Sequence, residues 1–244
     1  MATTHGGGAA PTSRSGGGGG GPRVRGGGAG SVVQLTASLK AQFQAGRAGK
    51  GTSVILANQA DWEAYQAGTG PKPASADLLV HQRGDFHADD FRRKALDLNA
   101  LGDEGVLLKA GEKTQRPGVP HKQPDKFPRK AVPRTVTRIF RERIITRLSK
   151  AGTKNPDGTR KDRKVRDPAN QQLLNKLYRG RGTPRRAGEA LDPDHIHELQ
   201  LKGMDVHSNL RLMDAYTNRH LGSDIHLALK KVDPETPVKV RLVE

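Results

Sequence analysis

Between residues 111 and 190 the chain carries 23 lysines and arginines against 7 acids. So much like charge stays in water, which limits what this segment can contribute to an interior. The flanks are nearly balanced, with 12 basic against 9 acidic residues in 1–110 and 7 against 9 in 191–244. With 33% hydrophobic and 4% aromatic residues, one core filling all 244 residues is not expected. The composition points to a compact part joined to a large solvated part. A basic segment beside a mildly acidic one suits a polyanion held by the first and acted on by the second. A solubilising linker would show the same charge run.

The chain has no cysteine, which removes disulfides and zinc–thiolate knuckles. No apolar run approaches the length of a membrane span, so no membrane partner is expected. The start, "MATTHGGGAAPTSRSGGGGGG", lacks the apolar centre of a Sec signal, and synthesis in the cytoplasm is expected.

Residues 1–30 are Gly/Ser/Pro/Arg-rich and are expected to form a disordered lead, with Arg14, Arg23 and Arg25 on a tether. Residues 31–110 read as a small α/β accessory domain of unknown role. Helical spacing joins Val33, Leu35, Leu39 and Phe43, and "TSVILAN" reads as a strand. "DWEAYQAG" and "DDFRRKALDLNALG" open on Asp and close on Gly, as helices do, and "EGVLLKAG" is a candidate strand. His81, Asp85, His87, Asp89 and Asp90 crowd one loop. Their spacing fits no metal pattern, and Asp89 and Asp90 serve better as a helix cap.

Residues 111–133 are Pro- and Lys-rich, an expected interdomain linker before a 134–244 domain. "RTVTRIFRERIITRLSKAG" places Val136, Ile139, Phe140, Ile144 and Leu148 on one helical face, with Arg138, Arg141, Arg143 and Arg147 around the rest. A basic loop holding Lys161, Arg163, Lys164 and Arg166 follows, then a short helix from Pro168, then Arg185 and Arg186. These ten basic residues are the candidate nucleic-acid contacts. A membrane-surface helix would look similar, but the charge continues into the loop, which favours nucleic acid.

The densest chemistry lies between Asp192 and Leu229. "HIHELQL" and "NLRLMDA" alternate as strands do, and a turn segment, "KGMDVHS", separates them. Helical spacing then runs through Tyr216, Leu221, Ile225 and Leu229, with Asp214 placed to cap, and "PVKVRLVE" is a candidate last strand. Asp194 and His195 precede Asn209 by fourteen residues from the histidine, and Asn218 follows nine further on. In this order of strand, loop, strand and helix, and in these residues, the stretch resembles the HNH, or ββα-metal, endonucleases. In "DHIHELQ", "SNLRLMD" and "TNRHLGSDI" it is similar to the C-terminal HNH domains of bacterial polymorphic toxins. The resemblance covers about the last fifty residues, with a core at 191–230. The cysteine pairs that many of those domains carry are missing, and the last motif position is Asn218 rather than His.

The resemblance implies an α+β fold and hydrolysis of DNA phosphodiester bonds, with RNA as the alternative substrate. It assigns His195 as general base, Asn209 to hold the loop, and Asp194 and Asn218 to a divalent cation. Mg²⁺ suits such oxygen ligands, with Zn²⁺ or Ni²⁺ as alternatives. Adjacent strand residues face opposite ways, so Asp194 and His195 converge only if the chain leaves regular geometry near Pro193. His197 would share a face with His195 and could chelate a transition metal with it. Glu198 is a candidate partner for a histidine, Arg219 for phosphate, and His220 for either metal or phosphate. His207 reads as structural, His226 as peripheral and Asp192 as turn chemistry. The toxin likeness further implies delivery into a target cell by a dedicated secretion system and an acidic immunity protein as partner. A basic nucleic-acid-binding protein with a silent C-terminal module is the competing expectation.

Overall fold

The structure, a computed structural model, describes residues 37–49, 51–111, 135–150, 155–159 and 167–243. The expected disordered lead at 1–30, the linker at 111–133 apart from Gly111, and the basic loop residues Lys161, Arg163, Lys164 and Arg166 lie outside these.

The fold is α+β. Its order is α1 (Ala37–Arg47), β1 (Val54–Leu56), α2 (Gln59–Gln66), β2 (Ala76–His81), α3 (Ala88–Asp103), α4 (Thr135–Lys150), α5 (Pro168–Arg179), β3 (Leu191–His195), β4 (Leu210–Asp214), α6 (Ala215–Ala228) and β5 (Val238–Val243). One sheet runs β1-β2-β5, with β1 antiparallel and β5 parallel to β2; the other is the antiparallel pair β3-β4.

The helices form where apolar spacing and caps agree. On α3, Phe91, Ala95 and Leu98 recur on one face and are all but fully buried. Asp214 caps α6, its side chain accepting from the Thr217 amide and hydroxyl at 2.8 Å each. Asp167 caps α5 ahead of Pro168. The strand β2 interrupts a segment with no alternation to mark it. Five of its six residues are buried, as suits a central strand covered on both faces. "EGVLLKAG" makes one bridge, Leu108 with Pro237, and no strand.

Residues 31–110 do not stand apart as an accessory domain. The described residues, from 37 onward, fall within one compact unit. β5 joins the sheet of β1 and β2, and Leu221, Ile225 and Leu229 of α6 share a core with Trp62, Leu78, Val80, Phe91 and Leu98. Burial of such side chains stabilises by roughly 1.5–3 kcal/mol each, and no partial core here is covered without the other half. Asp224 on α6, buried, accepts from the Ser53 amide and hydroxyl at 2.7 and 2.6 Å, tying the two ends further. A smaller cluster of Ile145, Leu174 and Leu177 joins α4 to α5 and packs against Leu191 and Leu212 of the β3-β4 pair. Among the described residues, no helix is long and apolar enough to cross a membrane.

Candidate active site

Strand β3 ends at His195. The alternating "HIHELQL" turns there instead of continuing, passing into a short 3-10 turn at Leu199–Leu201 and a second at His207–Asn209 before β4. The cross-strand pairs Asp194–Arg211 and His195–Leu210 are in register, so β3 stays regular to its last residue. Alternation then separates the two candidates: Asp194 meets α3, and His195 meets the loop.

Lys94 of α3 is fully buried, and its ammonium is ringed by oxygen. Asp194 supplies both carboxylate atoms, at 3.1 and 3.2 Å, and Glu198 Oε1 lies at 2.8 Å. The backbone carbonyls of His195 and Ile196 also accept from it. Arg211 Nε stands 3.5 Å from Asp194 and also pairs with Asp97. Burial pushes the Asp194 carboxyl up to about 6; Lys94 opposes that shift, and the nearby Glu198 adds to it.

His195 is 4% exposed, and its Nε2 lies 2.9 Å from Oδ1 of Asp205, itself buried. Asn209 holds the loop above it. Its Oδ1 accepts from the His197 amide, and its Nδ2 donates to the carbonyls of His197 and Met204, all at 2.8 Å. His197 bonds the Leu201 carbonyl through Nε2 at 2.6 Å, so it and His195 hold separate partners and do not chelate. Asn218 is half-buried at the start of α6, with no side-chain hydrogen bond among the described residues.

The other candidates separate in the same way. Glu198 pairs with Lys94 rather than with a histidine. His220 stacks beside Tyr216, with ring centroids 4.3 Å apart. Arg219 is a brace, not a free phosphate contact: it donates to Asp192 at 2.7 Å and to the carbonyls of Gly180 and Gly182 at 2.6 Å. Arg141 is braced too, against the same Asp192, which is therefore a buried counter-ion in β3 and not a turn residue. Arg138, Arg143 and Arg147 of α4 are exposed, as are Arg185 and Arg186, the last paired with Glu189. Helix α4 lies against β3 and the second 3-10 turn, where Phe140 stacks on exposed His207 at 6.2 Å. His226 is exposed on α6.

A divalent cation does not fit at Asp194 in this arrangement. Its carboxylate is 1% exposed, and the place a cation would take is filled by an ammonium and a guanidinium. Among the described residues, no three His, Asp or Glu side chains converge as a ligand set. The earlier loop cluster disperses too: Asp85 binds Arg83 and Tyr216, and Asp90 accepts from the Asp214 amide.

Three residues of the site stand outside the motif positions. Asp205 lies in a stretch that reads only as a turn, and Arg211 reads as a solvent-facing strand residue. Lys94 did carry a signal, since it falls within the apolar stripe of α3 beside Phe91, Ala95 and Leu98. The chain matches no family model, and neither a curated protein nor a solved structure matches it.

Proposed function

We propose that the protein is an endonuclease of the HNH type that hydrolyses phosphodiester bonds in DNA, with His195 as the base that takes a proton from water. The observation that supports this most is the buried His195–Asp205 pair at 2.9 Å, at the end of β3 and beneath a loop pinned by Asn209. A carboxylate on one ring nitrogen fixes the plane of an imidazole and offsets the charge that forms when the ring takes a proton. The order β3, loop, β4, α6 and the exposed arginines of the neighbouring α4 suit the same reading. At 4% exposure, His195 is closed to water and phosphate in this state, so the chemistry requires a local opening of the site. Because Lys94 stands at Asp194, no step is assigned to a metal there. The toxin role and an acidic immunity partner belong to the same proposal and rest on the motif likeness.

The test is nicking of supercoiled plasmid by the full chain, with Mg²⁺ and with EDTA, beside His195→Ala and an RNA substrate. Nicking by the wild type that disappears in a folded His195→Ala protein is the expected result. Nicking that survives the substitution removes His195 from the chemistry.

One observation favours a second reading, a nucleic-acid-binding protein without catalysis. Lys94, Asp194, Glu198 and Arg211 form a closed, charge-compensated cluster of the kind that holds a fold together. Salt-dependent DNA binding with no nicking in either buffer would establish it.

A further inference from the structure

We propose that the crevice at the C-terminal ends of β2 and β5 is a binding site for a phosphate-type oxyanion, separate from the site around His195. The two strands run parallel and finish together at the pair His81–Val243. Ligands of open sheets sit outside the carboxyl ends of parallel strands, where side chains and loops converge on a gap. Here the gap is a cavity of about 390 Å³, lined by Arg47, His81, Arg83 and Arg92, with Phe91 and Leu242 as its apolar wall. That volume is at the lower end of the range for small-ligand sites.

The charge in the crevice is not balanced. Arg83 is spoken for by Asp85, which it grips through Nε and Nη2 at 2.9 and 2.7 Å. Arg47 and Arg92 are exposed at the rim and make no ion pair among the described residues. Two guanidinium groups thus face a cavity with no acid of their own, a setting that attracts an oxyanion and can grip it with paired N–H groups.

His81 lines the same crevice from its buried side. It is 2% exposed, and neither ring nitrogen makes a well-aligned hydrogen bond, although backbone groups of Thr52 and Gln82 lie close enough to act on it. Buried polar atoms without partners are rare, because desolvating them costs free energy that nothing returns. The imidazole is held tightly all the same. Phe43 meets it edge-on with centroids 4.5 Å apart, and a Cβ on Gly46 would come within 2.0 Å of its Cε1. Gly84 likewise has no room for a side chain, since a Cβ there would lie 2.2 Å from the Arg47 carbonyl oxygen. Helix α1 and the loop after β2 therefore close tightly around the ring, whose Cε1 edge is turned to Gly46. Burial holds the imidazole pKa below its ordinary value, and the ring forms the buried back wall of the crevice behind the two free guanidinium groups.

The experiment follows the His81 ring resonances of the full chain by NMR at constant ionic strength. The probes are inorganic phosphate, pyrophosphate, and a short oligonucleotide with and without a 5′-phosphate, with chloride as the blank. Saturable shifts with at least one phosphate probe are expected. In the double variant Arg47→Gln, Arg92→Gln, affinity should fall roughly tenfold or more, as expected for losing charge-assisted contacts, with plasmid nicking unchanged. Preference for the 5′-phosphorylated oligonucleotide would assign the phosphate to a nucleic-acid end; equal or better binding of the inorganic ions would assign it to a free small anion. Shifts that chloride reproduces, an absence of saturable shifts with every probe, or equal affinity in the double variant would overturn the site. None of these results depends on whether His195 is a base.

Discussion

Replacing Lys94 by Met keeps most of the volume and removes the charge that five oxygen atoms surround. The cost can be divided. In the wild type the Asp194 carboxyl ionises near 6 instead of 3.8, so the native state takes up a proton that the unfolded chain releases in that interval. Its contribution to stability is complete below about pH 4 and is lost as pH rises through about 6. At about 1.4 kcal/mol for each tenfold change in proton affinity, that loss is about 3 kcal/mol. Without Lys94 the carboxyl can escape ionisation only by staying protonated, which at pH 7 costs about 4 kcal/mol relative to an ordinary aspartate. The substitution therefore adds about 1 kcal/mol at pH 7 through Asp194, almost nothing at pH 5, and between 2 and 3 kcal/mol, roughly, at pH 8. The carbonyls of His195 and Ile196 and the carboxylate of Glu198 lose the same donor, which adds about 2–3 kcal/mol with little dependence on pH in this range.

The total at pH 7 is about 3–4 kcal/mol, in line with the breaking of buried ion pairs generally. Urea unfolding reports it, followed by fluorescence of Trp62, the one tryptophan and fully buried. The gap between wild type and Lys94→Met should widen from pH 5 to pH 8. Adding Asp194→Asn should recover part of the loss and remove the widening, because the group that titrates is gone. A gap that stays flat with pH, or stays under about 1 kcal/mol at pH 8, would refute the picture of a buried ammonium balancing Asp194.

Further outcomes follow from single contacts. Asn209→Ala removes three hydrogen bonds from the loop at 197–204 and should cost about 1–3 kcal/mol, with the largest rise in amide exchange at His197. Asp205→Asn should lower plasmid nicking by roughly 10–100-fold while leaving DNA affinity unchanged, since it orients His195 and touches no phosphate-facing arginine. Changing Arg138, Arg143 and Arg147 to Gln should flatten the dependence of log affinity on log salt by about 0.9 for each phosphate contact removed, whereas Arg141→Gln should act mainly on stability through Asp192.

What the sequence makes legible here is what neighbours along the chain decide. The Asp214 cap, the start of α5 at Pro168 and the alternation in β4 all depend on residues within a turn of one another, and each appears where its pattern predicts. Asn209 comes from the family likeness rather than from such a pattern, and it does close a loop, twelve residues from His197. Partners set by packing were not readable. β2 and β5 lie far apart in sequence, so nothing local in "PVKVRLVE" tells that it completes the first sheet or that the core of the earlier segment is shared with α6. Asp194 belongs to the motif likeness, yet its immediate partner is 100 residues upstream on α3. That contact alters its chemistry, since a carboxylate facing an ammonium is a different group from one facing water. One trace of it does lie in the sequence. A lysine on the apolar stripe of α3 must either snorkel out or find acids inside. Phe91, Ala95 and Leu98 around it leave no route to water, so acids had to be near. Asp194 and Glu198 flank the turn at the end of β3, close enough for one ammonium to meet both. The charge that the motif alone would give to a metal is, in this chain, supplied by the helix.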